Sequence, residues 1–261
     1  SAPLAVDGDD VRGNIRAVRE RTARIGDDIR HGARLGATGA PIRHLVHLGI
    51  GGSDLGPRLV VEALRGDGAP RGPDVAFVAN VDPVALDRAL AGLDPRATLF
   101  VVASKGFTTQ ETLANARAAR AWLEAALPPG ADARRHFVAA TASVEAAAAF
   151  GVPADAILPF HEGVGGRFSL WSPVGVTIAA ALGNDAHDEL FAGAHAMDRH
   201  FASAPFDANL PVVLALAGLW NAGALGLRQR IVVPYAEALG GLHHLPLAIE
   251  RQPFLIGKGD D

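Results

Sequence analysis

Short apolar, β-branched runs alternate with longer helix-like stretches along the first 160 or so residues, and this alternation limits the fold more than any other feature. HLVHLGI at 44–50, DVAFVAN at 74–80, ATLFVVAS at 97–104, HFVAATA at 136–142 and AILPF at 156–160 read as strands. Helical patterns follow the first three, at 54–64, 83–91 and 109–126. Strands that are apolar throughout are covered on both faces, and a helix between successive strands makes them parallel. The expected fold is α/β: a five-stranded parallel sheet with helices on both faces, which binds ligands at the carboxyl ends of its strands. An Arg-rich amphipathic helix is expected at 9–24. From 171 to 225 the chain reads as mainly helical, with one more strand at 230–235. The expected division is a helical lead-in at 1–40, the α/β domain at 41–170 and a mostly helical segment with a divergent tail at 171–261.

Composition narrows the chemistry. The 261 residues are 49% hydrophobic and 20% charged, as in a globular protein able to bury its own core. They include no cysteine, which excludes disulfides and thiolate metal sites from this stretch and fits a reducing compartment. Net charge is −4 and no Lys/Arg run is dense enough for a nucleic-acid footprint. The longest apolar stretch, PVVLALAGLWNAGALGL at 211–227, carries Asn221 and several glycines; it reads as a core helix, not a membrane span. SAPLAVDGDDVRGN lacks the charged-then-apolar order of a signal peptide, so a cytoplasmic location without a membrane partner is expected.

Three loops fall at expected strand ends. GIGGSD at 49–54 leaves the first strand and enters a helix whose early N–H groups favour an anion, with Ser53 adding a hydroxyl donor. The dinucleotide fingerprint fails in both registers: Asp54 occupies the third glycine counted from Gly49, and Ser53 the middle one counted from Gly51. No Gly-Lys-Ser/Thr P-loop occurs either. Taken alone, the stretch fits a ligand-free turn equally well. SKGFTTQET at 104–112 offers the hydroxyls of Ser104, Thr108 and Thr109 and the Lys105 ammonium before another helix. Thr109 and Thr112 also suit ordinary capping, and TTQE is an imperfect capping box. Neighbouring parallel strands lie about 4.8 Å apart, so two such loops can share one phosphate. A site made of hydroxyls and one ammonium suits a sugar phosphate rather than a nucleotide. In EGVGGRFSLWSPVG at 162–175, Gly163, Gly165 and Gly166 surround Arg167. Its guanidinium can oppose negative charge developing on an oxygen, or form a surface ion pair.

The other ionisable residues point nowhere in particular. His243 and His244 are adjacent, which directs them apart in a helix, and His44 and His47 do not share a strand face; no metal site is expected. Trp171 and Trp220 read as core residues.

GIGGSDLGP, SKGFTTQET, VGGRFSLWS and the later ALAGLWNAGALG…IVVPY resemble, in that order, the phosphoglucose isomerase family. VDGDDV at 6–11 and NVDP at 80–83 are similar to further family segments, and the likeness extends to about Tyr235. The resemblance implies a sugar-isomerase (SIS) type of fold. It also implies interconversion of glucose 6-phosphate and fructose 6-phosphate through a cis-enediol, without metal or organic cofactor. By the same match Gly52, Ser53, Ser104, Lys105, Gly106, Phe107, Thr108 and Thr109 bind substrate, chiefly its phosphate. Arg167 stabilises the enediolate, and Glu111 stands where a glutamate partners the ring-opening histidine. The implied partner is a small sugar phosphate, with a homodimer as a further expectation.

Departures from the family pattern set a second expectation. Gly106 replaces a threonine, removing a neutral donor worth roughly 0.5–1.5 kcal/mol. Pro83 stands where glycine is usual. After VVPYAEAL the chain reads GGLHHLPLAIERQPFLIGKGDD, and the family's Gly-Glu-Pro-Gly-Thr-Asn-Gly-Gln-His loop, which carries the general base, does not occur. General acid–base assistance is worth typically 10²–10⁴-fold. The alternative to an isomerase is thus an impaired or non-catalytic sugar-phosphate-binding module; a nicotinamide oxidoreductase is a distant third. Helices such as 211–225 are also expected to pack partly against a further domain, leaving an apolar face exposed here.

Overall fold

A computed structural model describes residues 5–6, 9–66, 72–227, 229 and 232–243. Two short strands, β1 (Ala5–Val6) and β2 (Asp9–Asp10), pair antiparallel. They lead into helix α1 (Val11–Arg30), capped by Asp10, whose carboxylate accepts from Gly13 N–H. The α/β unit follows as β3 (His44–Leu48), α2 (Gly52–Leu64), β4 (Asp74–Val78), α3 (Pro83–Leu90) and β5 (Thr98–Ala103). It continues through α4 (Gln110–Ala126), β6 (Phe137–Thr141), α5 (Val144–Phe150) and β7 (Ile157–Pro159). Two 3₁₀ segments, Gly166–Trp171 and Pro173–Gly175, precede α6 (Val176–Leu182), α7 (Asn184–Ser203) and α8 (Leu210–Gly223).

The five strands β3 to β7 form one sheet, parallel throughout, in the order β4-β3-β5-β6-β7, as the apolar runs require. Every residue of β5 and β6 is buried. Phe100 stacks on Phe137 at 5.5 Å between ring centroids and meets Trp122 of α4 edge-on at 6.1 Å. Helices α1 and α6 approach so closely that a Cβ on Gly26 would lie 2.8 Å from that of Ala179.

Strand order places the site. From β3 the chain moves outward to β4, then returns past β3 to β5. Right-handed crossovers put α2 on one face and the helices after β4 on the other. A crevice therefore opens between the carboxyl ends of β3 and β5, the switch point of a doubly wound sheet.

Four expectations need correction. The helix at 211–225 exists, but α8 buries none of its residues and is not a core helix. It is tied to α7 through Asn209 Nδ2, which donates to Phe201 O, and through Leu210 N–H, which donates to His200 Nε2. Trp220 is 63% and Trp171 40% exposed, so neither is a core residue. Residues 232–234 adopt no regular structure, so the expected strand at 230–235 is absent from its described part; residues 230 and 231 lie outside the described residues. Helix α1 runs six residues beyond the expected end at 24, because Ile25 and Ile29 continue its buried face.

Candidate functional site

The first loop is built around two glycines. A Cβ on Gly49 would lie 3.0 Å from Ser53 O, so the returning chain leaves no room for a side chain. Gly51, at φ 60° and ψ −125°, adopts a conformation that glycine alone takes easily, and a Cβ there would meet nothing within 4 Å. Gly51 is the N-cap of α2 and offers no side-chain acceptor, so a bound anion can take that role. Asp54 is buried inside the first turn, paired with Arg58 at 2.8 and 3.0 Å, while Arg58 lies 5.1 Å over the Phe77 ring. The His47 imidazole, also fully buried, sits under this turn with Nε2 2.7 Å from Ser53 O. Burial lowers its pKa and keeps it neutral.

The second loop leaves β5, the neighbour of β3, with Leu48 paired to Val102. Its backbone is held from β6: Ser104 N–H donates to Ala140 O at 3.1 Å, and Lys105 O accepts from Ala142 N–H at 2.8 Å and the Thr141 hydroxyl at 2.9 Å. The Lys105 side chain stands exposed above these contacts, as do Gly106 and Thr108. Phe107 is the one non-glycine residue with positive φ (51°) among the described residues, a strain sustained by burying its ring against Phe150 at 5.7 Å. Buried Ser104 donates from Oγ to Thr109 Oγ1 at 3.3 Å. Thr109 stands at the N-cap of α4 without a side-chain capping bond, and the buried Thr112 hydroxyl has no partner among the described residues. The capping-box reading of TTQE therefore fails, and α4, like α2, begins without a side-chain cap. Glu111 lies half-buried in the first turn of α4.

The third loop reaches the first directly. Ser169 Oγ lies 2.7 Å from Gly166 O and 3.2 Å from Gly52 O, and Leu170 packs on Gly56, where a Cβ would come within 3.2 Å. Arg167 belongs to this 3₁₀ segment, two residues before Ser169. A mostly apolar cavity of about 640 Å³ opens beyond β7, lined by Phe160, His161, Phe168, Trp171, His187 and Phe191. None of the loop hydroxyls at 53, 104, 108 and 109 lines it.

Sequence reasoning found these loops but missed what supports them. His47 does not share a strand face with His44 and so draws no attention, Ser169 falls in the VGGRFSLWS stretch without being given a role, and nothing in the pattern marks Asn115, whose Nδ2 ties α4 to Asn80 O at the end of β4 (2.9 Å). One signal was available. Pro57 lies four residues after Ser53, so the Ser53 carbonyl needs a donor from outside the helix.

Uncapped helix N-termini, hydroxyls and an exposed ammonium gather at the switch point of a parallel sheet, which defines the class: a doubly wound α/β domain with its candidate site at the strand ends. The family described as phosphoglucose isomerase matches residues 1–252, and the chain belongs to that family. It is 54% identical to the glucose-6-phosphate isomerase of Aromatoleum aromaticum over 211 residues, 81% of this chain and 39% of that protein. Glucose-6-phosphate isomerase 4 of Rhodococcus jostii is 46% identical over 239 residues, 92% of this chain and 42% of its own. Among solved structures, a glucose-6-phosphate isomerase from Chlamydia trachomatis superposes with a TM-score of 0.80 at 29% identity, over 95% of this chain and 46% of that one. A hypothetical protein from Thermus thermophilus gives 0.68 at 28% identity, covering 92% and 58%. The chain thus spans about four tenths of the length of these curated relatives. Among the described residues no helix is long and apolar enough to cross a membrane.

Proposed function

We propose that the strand ends of β3 and β5 bind the phosphate of a sugar phosphate, and that the chain serves the aldose–ketose isomerisation of glucose 6-phosphate and fructose 6-phosphate. The observation that carries this reading is the convergence of loops: two leave adjacent parallel strands into uncapped helices, and a third is hydrogen-bonded to the first through Ser169 and Gly52. Gly52, Ser53, Ser104, Gly106, Phe107, Thr108 and Thr109 form the substrate cradle, and Lys105 supplies its charge. In the reaction the sugar ring opens and a proton moves between C1 and C2 through a cis-enediol. Arg167 opposes the charge on the enediolate oxygen, and Glu111 partners the group that opens the ring.

A second reading keeps the binding and drops the turnover. The family's base-bearing loop does not occur in these 261 residues, which favours a sugar-phosphate-binding unit whose chemistry needs a base from elsewhere. Two measurements separate the readings. Millimolar fructose 6-phosphate is expected to raise the melting temperature while fructose does not; Lys105→Ala, which removes a charge-assisted bond of about 1.5–3 kcal/mol, is expected to abolish most of that shift. In a coupled assay of fructose 6-phosphate turnover, activity lost in Arg167→Ala indicates an isomerase. Equal background in both proteins indicates the binding unit, and no ligand-induced shift overturns both readings.

A further inference from the structure

Pro57 leaves a gap in α2 that the structure fills from outside the helix. In an α-helix the carbonyl of residue 53 accepts from the N–H of residue 57. Proline has no N–H, and its ring crowds that same carbonyl. His47 meets the orphaned group from β3, its Nε2 2.7 Å from Ser53 O. A carbonyl only accepts, so the proton is on Nε2; Nδ1 is then an acceptor, and the Thr177 hydroxyl of α6 donates to it at 2.8 Å. The ring is further fixed by Phe77, 5.3 Å away between centroids. On the preceding peptide, Gly52 O lies 3.2 Å from Ser169 Oγ, whose single proton it shares with the nearer Gly166 O at 2.7 Å. The Gly52 and Ser53 carbonyls belong to peptides of the first turn, so holding them sets the course of the chain through Ser53.

We propose that His47 is a positioning residue of the phosphate turn: it gives the Ser53 carbonyl the N–H that Pro57 withholds, and thereby aims the α2 N-terminus and the Ser53 hydroxyl at the ligand. This assignment rests on the phosphosugar reading above. Its signature is energetic coupling between His47 and Pro57. An imidazole that merely fills core space has no reason to depend on a proline ten residues further along the chain. An imidazole that replaces a missing helical N–H becomes dispensable once residue 57 regains one.

The test is a double-mutant cycle in the 261-residue chain, reading fructose 6-phosphate affinity and ligand-free melting together. His47→Leu is expected to weaken binding about tenfold, and His47→Gln, which keeps an N–H donor, to restore most of it. In a Pro57→Ala background, where residue 57 can serve Ser53 O, His47→Leu is expected to cost less than about threefold. Equal losses in both backgrounds, or undiminished binding by His47→Leu, overturn the assignment. If His47→Leu fails to fold, the Gln variant and the Pro57→Ala double variant decide the same question. An unsubstituted chain that binds no fructose 6-phosphate overturns the phosphosugar reading and this assignment with it. A chain that binds while the cycle is additive overturns the assignment alone.

Discussion

β5 and α8 are both strongly apolar, and the structure treats them oppositely. All six residues of TLFVVA are buried between helices, whereas LPVVLALAGLWNAG has no buried residue, with Leu219 70% and Trp220 63% exposed. Hydrophobicity states that a segment needs a cover; it does not state where the cover comes from. The sheet is covered by elements of its own chain: α4 and α5 near β5, β6 and β7, α1 and α6 packed on one another. Among the described residues α8 is held chiefly at its junction with α7 and leaves its apolar side chains exposed, the kind of face that marks an interaction surface. The half that carries the three glycine-bearing loops is therefore the self-contained one.

Truncation tests this contrast most severely. Phe100→Ala removes a fully buried ring that stacks on Phe137, at an expected cost of about 3–5 kcal/mol in chemical denaturation. Leu219→Ala on α8 is expected to stay within about 0.5 kcal/mol. Comparable costs would mean that α8 is covered in solution and would break the comparison.

Acid is expected to loosen the closed half next. Burial lowers the pKa of His47, His136 and His187, the last from 6.5 to about 4. His136 also needs its neutral form for its bonds, since Nδ1–H donates to Thr98 O at 2.7 Å and Nε2 accepts from Ala37 N–H at 2.8 Å. Below pH 6.5 the unfolded chain takes up protons that the folded chain refuses, so stability rises with pH and falls on acidification. For His187 alone the loss between pH 6.5 and 4 is on the order of 3 kcal/mol. Denaturant midpoints across that window should fall steadily in the parent chain and less in His187→Gln. A flat profile would show that the imidazoles are hydrated in solution.

Association reads the open half. Concentrated copies of the chain are expected to self-associate through α8, and Leu219→Asp to reduce that association while changing the stability of the dilute, dissociated chain by no more than about 0.5 kcal/mol. Light scattering that finds a monomer in both proteins would remove self-association from the comparison.

The sheet was legible because each central strand is apolar on both faces and alternates with helical stretches, the pattern of a parallel sheet covered on both sides. The loops were legible because glycines, hydroxyls and Lys105 cluster at strand ends, where backbone geometry and charge are both stated by residue type. Their supports were not. Whether the His47 imidazole reaches Ser53 O depends on the path of α2, and whether Ser169 meets Gly52 O depends on a contact 117 residues apart in sequence. α8 was misread as core for a related reason: pattern reports the need for burial, and the neighbour that meets it is a tertiary fact. Thr109 shows the same limit, since its place before a helix suggests a cap while its hydroxyl accepts from Ser104 instead.

The smallest expected effect lies at the proposed ligand face of the closed half. Gly106 is exposed between Lys105 and Phe107, outside the left-handed region, and a Cβ placed on it meets only the Thr108 hydroxyl at 3.1 Å. That hydroxyl belongs to an exposed side chain, and its turning aside makes room for a Cβ at this position without moving backbone. A threonine adds one neutral donor beside Lys105, worth roughly 0.5–1.5 kcal/mol, and Gly106→Thr should tighten fructose 6-phosphate binding about two- to tenfold in a titration. Ligand-free stability should not change, because no buried group is touched. If affinity stays level, the phosphate does not lie over Gly106, and its contacts move toward Ser53 and the N-terminus of α2. If stability falls instead, the loop around Phe107 is tighter than its open side suggests, and the closed half extends up to the ligand.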